Sequence, residues 1–165
     1  MAVYSKDIVI YGSGLGAFAA AVTAAKLAPS KTICIVAPSH CDMFGGLATE
    51  GGQNYWDIDH YNKTSEDDYI TKGSFSKIIQ NVGFGYNTFT LSNYLRNELK
   101  KYSNIVLFLQ CDFVSYTTSY NPFVINSITI KNIYRDGIGN LVYGTSTNTI
   151  YGKVFVDASE DGKMA

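Results

Sequence analysis

The sequence predicts an α/β domain in which a parallel sheet carries an inserted antiparallel β-meander. Apolar strand-like runs at 7–11 and 31–36 flank an Ala-rich helical stretch at 18–27, which is the order of a βαβ unit. From residue 105 the hydrophobic period changes to two, which indicates antiparallel strands. With 165 residues, of which 46% are hydrophobic and 16% charged, the chain is long enough for one domain with its own core, covering 1–165.

The βαβ unit fixes which strands are neighbours. Its first strand reads Asp-Ile-Val-Ile-Tyr and its second Lys-Thr-Ile-Cys-Ile-Val, and both suit a buried sheet. A strand, a helix and a second parallel strand almost always cross over with a right hand. The two strands are therefore predicted to lie side by side and parallel.

A polar excursion separates this unit from the rest of the chain. Residues 37–52 form a predicted loop rich in Pro, Ser and Gly, and residues 53–103 are predicted to be a lid followed by helices. Tyr55 and Trp56 at the start of the lid could stack against a ligand ring or anchor the lid. The sequence leaves both alternatives open.

Two helices are predicted within this excursion. Residues 74–82 and 90–101 have apolar side chains at helical spacing, which indicates one buried face on each helix. Asn87 or Thr90 is the expected cap of the second helix, because both side chains can accept a hydrogen bond from a free backbone N–H group.

The meander is predicted over residues 105–152. Turn signals at 120–122 and 136–140 divide this region into short alternating segments. The predicted antiparallel strands are 105–109, 113–117, 123–134, 141–144 and 147–152. The continuous apolar run at 153–157 then returns to the parallel sheet, since strands buried on both faces have this pattern.

A glycine-rich turn lies between the first strand and the helix, with the spacing G-x-G-x-x-G/A over residues 12–17. At Gly12 the chain must turn tightly, at Gly14 a side chain would meet a pyrophosphate, and at Ala17 only a small residue lets the helix pack on the strand. The phosphates would lie at the helix N-terminus, where backbone N–H groups lack partners. The spacing leaves open a flavin dinucleotide site, an NAD(P) site or a tight turn without a ligand.

Three segments occur in a characteristic order: 7–21 with the glycine turn, 45–52 (Gly-Gly-Leu-Ala-Thr-Glu-Gly-Gly) and 155–162 (Phe-Val-Asp-Ala-Ser-Glu-Asp-Gly). Together they resemble the FAD-dependent oxidoreductase family, within the glutathione-reductase-like superfamily of flavoproteins with two dinucleotide-binding domains. The resemblance implies a Rossmann-like FAD/NAD(P)-binding domain with FAD as its cofactor. It also implies oxidation of a small-molecule substrate by hydride or electron transfer to the flavin.

The resemblance further implies which residues bind the cofactor. The glycine turn would shape the pyrophosphate site, the Gly-Gly loop would line the flavin side, and residues 158–162 would close over it. The expected cofactor-binding residues are Gly12, Ser13, Gly14, Leu15, Gly16, Ala17, Ala37, Pro38, Gly45, Gly46, Val114, Ala158, Ser159 and Asp161. No catalytic residue is assigned, and no metal site is expected.

Two features depart from the family pattern. The second strand usually ends in an acidic residue that accepts hydrogen bonds from the adenosine ribose, whereas here Ala37 and Pro38 follow Val36. Relatives also continue past the third segment into a substrate domain, so the chain resembles a truncated, N-terminal portion. Its partner would be a missing C-terminal half or a second copy. The alternative to an enzyme is a truncated or degenerate nucleotide-binding domain without catalytic activity.

Composition argues against several other classes. A net charge of −1 without a basic stripe disfavours binding to nucleic acid or to an anionic membrane. The apolar stretch at 8–28 follows Asp7 without a basic region, and its helical part of about 13 residues is too short to span a bilayer. Asp57, Asp59 and His60 could ligate a metal, but no second cluster supports them.

Cysteine usage and one strand-end carboxylate have simple structural explanations. Three cysteines without C-x-x-C spacing favour a reducing cytoplasm. Cys34 and Cys111 are expected to be core thiols, and Cys41 lacks the second cysteine that dithiol exchange requires. Asp157 is expected to bond to nearby backbone N–H groups and not to transfer protons.

Overall fold

The computed structural model of the chain describes residues 1–56, 73–120 and 123–164. Within them the chain forms an α/β arrangement that ends in a run of strands. The strands are β1 (Val3–Tyr11), β2 (Ile33–Ala37), β3 (Ile105–Leu109), β4 (Cys111–Ser119), β5 (Val124–Arg135) and β6 (Leu141–Asp157). The helices are α1 (Leu15–Leu27), α2 (Ser74–Val82) and α3 (Thr88–Lys100), and a 3-10 turn covers Gly46–Ala48.

The described strands form one sheet in the order β3-β2-β1-β6-β5-β4. β1 is parallel to both β2 and β6, and β2 is also parallel to β3. β5 is antiparallel to both β4 and β6. The prediction of an α/β fold with a parallel sheet and an inserted antiparallel meander is therefore confirmed.

The prediction that residues 105–109 begin the meander is wrong. They form β3, which pairs in parallel with β2 from Ile33 opposite Ile105 to Ala37 opposite Leu109. An alternating hydrophobic pattern shows that one face of a strand is buried, but it carries no information on the direction of the neighbouring strand. Because α3 precedes this segment, it returns the chain to the sheet in the parallel direction.

The three segments predicted as separate strands after residue 140 form the single strand β6. Its first part is antiparallel to β5, its last part is parallel to β1, and residues 149–151 pair with both. The Gly and polar residues at 144–146 lie at a register shift in the pairing with β5. The signal that suggested a break therefore marks an irregularity within a continuous strand.

Two hydrophobic layers cover opposite faces of the parallel strands. Ile10 and Ile35 belong to a core shared with α1, α2 and α3. Val9 and Val36, the neighbours of these residues in sequence, belong to a second core shared with Ile128 of the meander. Because successive side chains of a strand point to opposite faces, the parallel strands lie between the helices and the meander.

The helices begin close to their predicted positions. α2 covers the predicted range 74–82, whereas α1 and α3 begin earlier than predicted, at Leu15 and Thr88. No helix in the described part of the chain is both long and apolar enough to cross a membrane.

Trp56 anchors the start of the predicted lid. Its ring is buried, stacks on Tyr86 at a centroid distance of 4.4 Å and meets the edge of Phe75 at 5.0 Å. Its Nε1 donates a hydrogen bond to the carbonyl oxygen of Gly83 at 3.1 Å. The remainder of the lid, at 57–72, lies outside the described residues, as do Asp57, Asp59 and His60.

Asn87 is the cap of α3, because its side-chain oxygen accepts hydrogen bonds from the N–H groups of Phe89 and Thr90. We expect Asn87→Ala to lower the free energy of unfolding by about 1 kcal/mol, the usual effect of losing such a cap. Chemical denaturation measures this change. Thr90→Ala is the matched control, and an equal loss for both variants would contradict the assignment of the cap.

Candidate functional site at the carboxyl ends of the parallel strands

Three loops meet where β1, β2 and β6 end, and they border a cavity of about 520 Å³. The loops comprise residues 12–14, 38–51 and 158–163. Parallel strands place their carboxyl ends at the same edge of a sheet, so each of these loops leaves the sheet on the same side. This edge is where open α/β sheets bind their ligands.

Gly12 lets the turn after β1 approach the end of β6. Its φ is +143°, and a Cβ at this position would lie 2.4 Å from the carbonyl oxygen of Ala158. The Gly12 N–H donates to the carbonyl oxygen of Val36 at 2.9 Å, and the Ala158 N–H donates to that of Tyr11 at 2.8 Å. Only glycine fits here, because this side of the backbone is filled by another strand end.

The N-terminus of α1 opens towards the cavity. Gly14 is its N-cap residue, and the first turn has neither a side-chain cap nor an acidic residue. Free N–H groups at such a terminus attract an anion. Gly14 has an ordinary φ of −88°, so its importance lies in the missing side chain and not in a special backbone conformation.

The Gly-Gly loop packs directly on the glycine turn. The Gly45 N–H donates to the carbonyl oxygen of Ser13 at 2.8 Å. A Cβ on Gly46 would lie 2.9 Å from the Cα of Gly14, and Gly46 has a φ of +57°. The first reason for glycine at this position is therefore close contact between the two loops.

The loop after β6 is held by its strand-end carboxylate. Asp157 accepts hydrogen bonds from the Ser159 N–H at 2.9 Å and from the Met164 N–H at 2.8 Å, which confirms the expected structural role. The exposed Glu160 then extends towards the Gly-Gly loop, where its Oε1 accepts a hydrogen bond from the Leu47 N–H at 3.4 Å. A carboxylate consequently lies beside the glycine turn.

A buried carboxylate forms the meander side of the cavity. Asp112 is 3% exposed and accepts hydrogen bonds from Tyr11 Oη at 2.7 Å, Tyr143 Oη at 2.5 Å and Lys163 Nζ at 2.7 Å. Burial raises the pKa of Asp112, but the three donors outweigh burial and hold the pKa below its usual value. The pKa of Tyr11 is raised by burial and by Asp112, so this phenol stays protonated at neutral pH and donates a hydrogen bond to Asp112.

The structure brings about half of the predicted cofactor-binding residues to the cavity. Those that line it are Gly12, Ser13, Gly14, Pro38, Gly46, Ser159 and Asp161. Those that do not line it are Leu15, Gly16, Ala17, Ala37, Gly45, Val114 and Ala158. Gly45 and Ala158 support the loops from behind, and Ala17 and Ala37 are fully buried in the core on the helix side. Val114 lines a smaller neighbouring cavity.

Several lining residues were missed by sequence reasoning, among them Glu50, Asp112, Tyr143 and Lys163. Asp112 offered one signal, since it is a carboxylate in an otherwise apolar stretch of β4. The other three carried no signal, because their position depends on contacts between distant parts of the chain.

The thiols belong to the packing of the domain. Burial raises the pKa of Cys34 to about 12 and also raises that of Cys111, which confirms that both are core thiols. Cys41 is partly buried, and its Sγ lies 3.8 Å from Glu50 Oε2. Within residues 1–56, 73–120 and 123–164, no group of His, Cys, Asp and Glu is arranged to hold a metal ion.

One family model and several solved structures are similar to this chain. A family model described as FAD dependent oxidoreductase matches residues 7–165. FrdA of the E. coli quinol fumarate reductase superposes with a TM-score of 0.57 at 12% identity, over 95% of this chain and 33% of that one. THI4 of Thermovibrio ammonificans gives 0.53 at 12% identity, over 93% of this chain and 57% of that one.

A third solved structure is PqsL of Pseudomonas aeruginosa, described as a probable FAD-dependent monooxygenase. It superposes with a TM-score of 0.51 at 9% identity, over 92% of this chain and 42% of that one. Likeness at such identities shows a shared fold, and the chain spans only about a third to just over half of these structures. No curated protein matches the sequence.

Proposed function

We propose that this chain, which belongs to the FAD-dependent oxidoreductase family and has FAD as its cofactor, forms the FAD-binding part of a flavin-dependent oxidoreductase. The observation that carries the proposal is the meeting of the glycine turn, the open N-terminus of α1 and the loop after β6 at one cavity. When bound, FAD accepts a hydride or electrons from a substrate. The protein's own part is to hold the cofactor and to exclude water from it.

The cavity fits the phosphates of a dinucleotide. The N–H groups in the first turn of α1 have no side-chain cap, so they remain available to a diphosphate. A Cβ at Gly14 would lie 3.3 Å from Glu160 Oε1, which is the only atom within 4 Å among the described residues outside the adjoining backbone, so the glycine leaves space beside the helix terminus. Gly12–Gly14 and this helix terminus would therefore hold the pyrophosphate.

Gly14→Val tests this placement. We expect the variant to fold, because the φ of Gly14 is ordinary, and to bind FAD at least about tenfold more weakly, because its methyl groups fill the phosphate space. Titration of FAD into the protein, followed by flavin fluorescence, measures the affinity, and thermal unfolding checks the fold.

Gly137→Val is the matched control for that experiment, since Gly137 lies in the β5–β6 turn, where a Cβ would have no described atom within 4 Å apart from its chain neighbours. A folded Gly14→Val variant with normal affinity for FAD would overturn the placement of the pyrophosphate. Absence of FAD binding by the unmodified chain would overturn the proposed function in favour of a degenerate domain.

Glu160 opposes binding of an anionic cofactor. Its carboxylate lies beside Gly14 and Gly46, where the diphosphate would lie, so it must rotate outwards, and its charge repels the phosphates. We expect Glu160→Gln to bind FAD about two- to fivefold more tightly, because one unit charge at 4 Å in water contributes about 1 kcal/mol. The same titration measures the change, which should diminish at high salt. Weaker binding by this variant would instead make Glu160 a ligand.

Further polypeptide would complete the enzyme. Val154 of β6 pairs with Ile8 of β1 on the helix side of the sheet, yet it is 52% exposed. The rest of a longer chain or a second copy would cover this face and supply the site for a small-molecule substrate, so this chain alone would not turn over substrate. The three free cysteines support a reducing compartment such as the cytoplasm.

A further inference from the structure

The end of β2 has no carboxylate of its own for a ribose. Ala37 is the last residue of the strand, and its side chain is fully buried in the core on the helix side. A hydrogen-bond acceptor for sugar hydroxyls at this corner of the cavity must therefore come from another part of the chain.

Glu50 places its carboxylate at this corner of the cavity. It follows the 3-10 turn Gly46–Ala48, and its Oε2 accepts hydrogen bonds from the His40 N–H at 2.8 Å and from Ser39 Oγ at 3.0 Å. Both donors belong to the segment that directly follows β2. The loop is thus folded so that the Glu50 carboxylate lies just beyond the strand end.

One oxygen of this carboxylate is left for a ligand. Each hydrogen bond that Glu50 makes to a described residue uses Oε2, and Oε1 has no donor among residues 1–56, 73–120 and 123–164. The side chain is 16% exposed and lines the cavity together with Pro38, His40 and the glycine turn. A largely buried carboxylate with an unused acceptor is a strong site for a hydroxyl donor.

We propose that Glu50 accepts a hydrogen bond from the adenosine ribose of FAD and replaces the acidic residue that is absent from the end of β2. This assignment depends on the proposed function, since it requires FAD in the cavity. The choice of the ribose follows from chemistry: the phosphates of FAD carry no hydrogen and are negative, so a carboxylate repels them, whereas the ribose hydroxyls are donors. The phosphates then lie on the N-terminus of α1.

Glu50→Gln tests the assignment by affinity. The variant keeps the size of the side chain but loses the charge, and we expect the 165-residue chain to bind FAD about tenfold more weakly, as for loss of a hydrogen bond to a charged group. Thermal unfolding without ligand reports any loss of the contacts to Ser39 and His40. Glu160→Gln is the matched control, because it removes the same charge from the same cavity. A purely electrostatic effect of the cavity would make both variants bind more tightly.

A second measurement tests whether Glu50 contacts the ribose hydroxyls. In this experiment ADP, 2′-deoxy-ADP and 3′-deoxy-ADP are each titrated as competitors of FAD, first with the unmodified chain and then with Glu50→Ala. We expect at least one analogue to bind the unmodified chain about tenfold more weakly than ADP, and we expect this difference to vanish in Glu50→Ala. Equal discrimination by both proteins would overturn the assignment and leave Glu50 as a structural link between two loops.

The outcomes separate this assignment from the function on which it depends. If the unmodified chain binds FAD, and both Glu50→Gln affinity and sugar discrimination are unchanged, Glu50 is not the ribose ligand although the cavity is a flavin site. If the unmodified chain binds neither FAD nor ADP, the proposed function fails, and the assignment of Glu50 fails with it.

Discussion

Gly12→Ala is expected to destabilise the domain by about 3 kcal/mol or more, because a strained backbone conformation and a steric clash act at the same position. The φ of +143° is unfavourable for alanine, and the new methyl group would lie 2.4 Å from the Ala158 carbonyl oxygen. That carbonyl belongs to the residue that directly follows β6, and β6 pairs with β1, so relief of the clash would separate two central strands. Chemical denaturation measures the loss.

Two other glycines separate the contributions to this effect. Gly139 has a φ of +90°, but within the described part of the chain a Cβ there would meet no atom within 4 Å beyond its chain neighbours, so Gly139→Ala reports the backbone strain alone. Gly16 lies inside α1, with 3.8 Å of space to Ala158, so Gly16→Ala should be neutral or stabilising. If Gly12→Ala lowers the free energy of unfolding no more than Gly139→Ala does, the steric clash between Gly12 and Ala158 contributes nothing to the effect.

Asp112→Asn is expected to lower stability at neutral pH by about 1.5 to 3 kcal/mol, the usual range for hydrogen bonds to a charged group. Its carboxylate accepts from two tyrosines and a lysine, and an amide can accept from only some of these donors. Lys163 is 38% exposed, so its ammonium group can turn to water in the variant, which limits the loss of stability. Tyr11 is 1% exposed, so its hydroxyl cannot find water as a replacement acceptor.

The same carboxylate gives the domain a defined acid sensitivity. Because the folded-state pKa of Asp112 is lowered, its contribution to stability is fully present above the ordinary carboxyl pKa of about 4. That contribution is lost as the pH falls through the lowered pKa. The difference in unfolding free energy between the unmodified chain and Asp112→Asn should therefore shrink as the pH falls below about 4. A difference that is constant from pH 7 to pH 3 would contradict this account.

Local signals were sufficient to predict β1, α1 and β2. The apolar run at 7–11, the glycine turn and the small residues after it each require a particular local structure, and these requirements agree with one another. The direction of β3 could not be predicted in this way, because a period of two is the same in parallel and antiparallel strands. The continuity of β6 was missed because Gly144 suggests a break, whereas the structure shows a register shift.

The residues of the candidate site also fall into two groups: those that the sequence indicates and those whose role appears only in the folded structure. Gly12 and Gly14 could be found because their spacing between a strand and a helix is a local sequence signal. Asp112 becomes informative only when folding places it against Tyr11, which is 101 residues away, and against Lys163. Glu50 was missed because its contact with the end of β2 depends on the path of the intervening loop, for which the sequence has no periodic pattern.

The most direct test of the central claim is an NMR titration of the isotopically labelled chain with FAD, with each backbone amide followed separately. We predict that the largest shifts occur at residues 12–17, 46–51 and 159–163, while the β5–β6 turn at 136–140 stays unchanged. A second cavity, lined by Arg96, Leu99 and Ile105 at the edge of the sheet, offers an alternative location. Shifts centred on that cavity, or no shifts at the three loops at saturating FAD, would contradict the account.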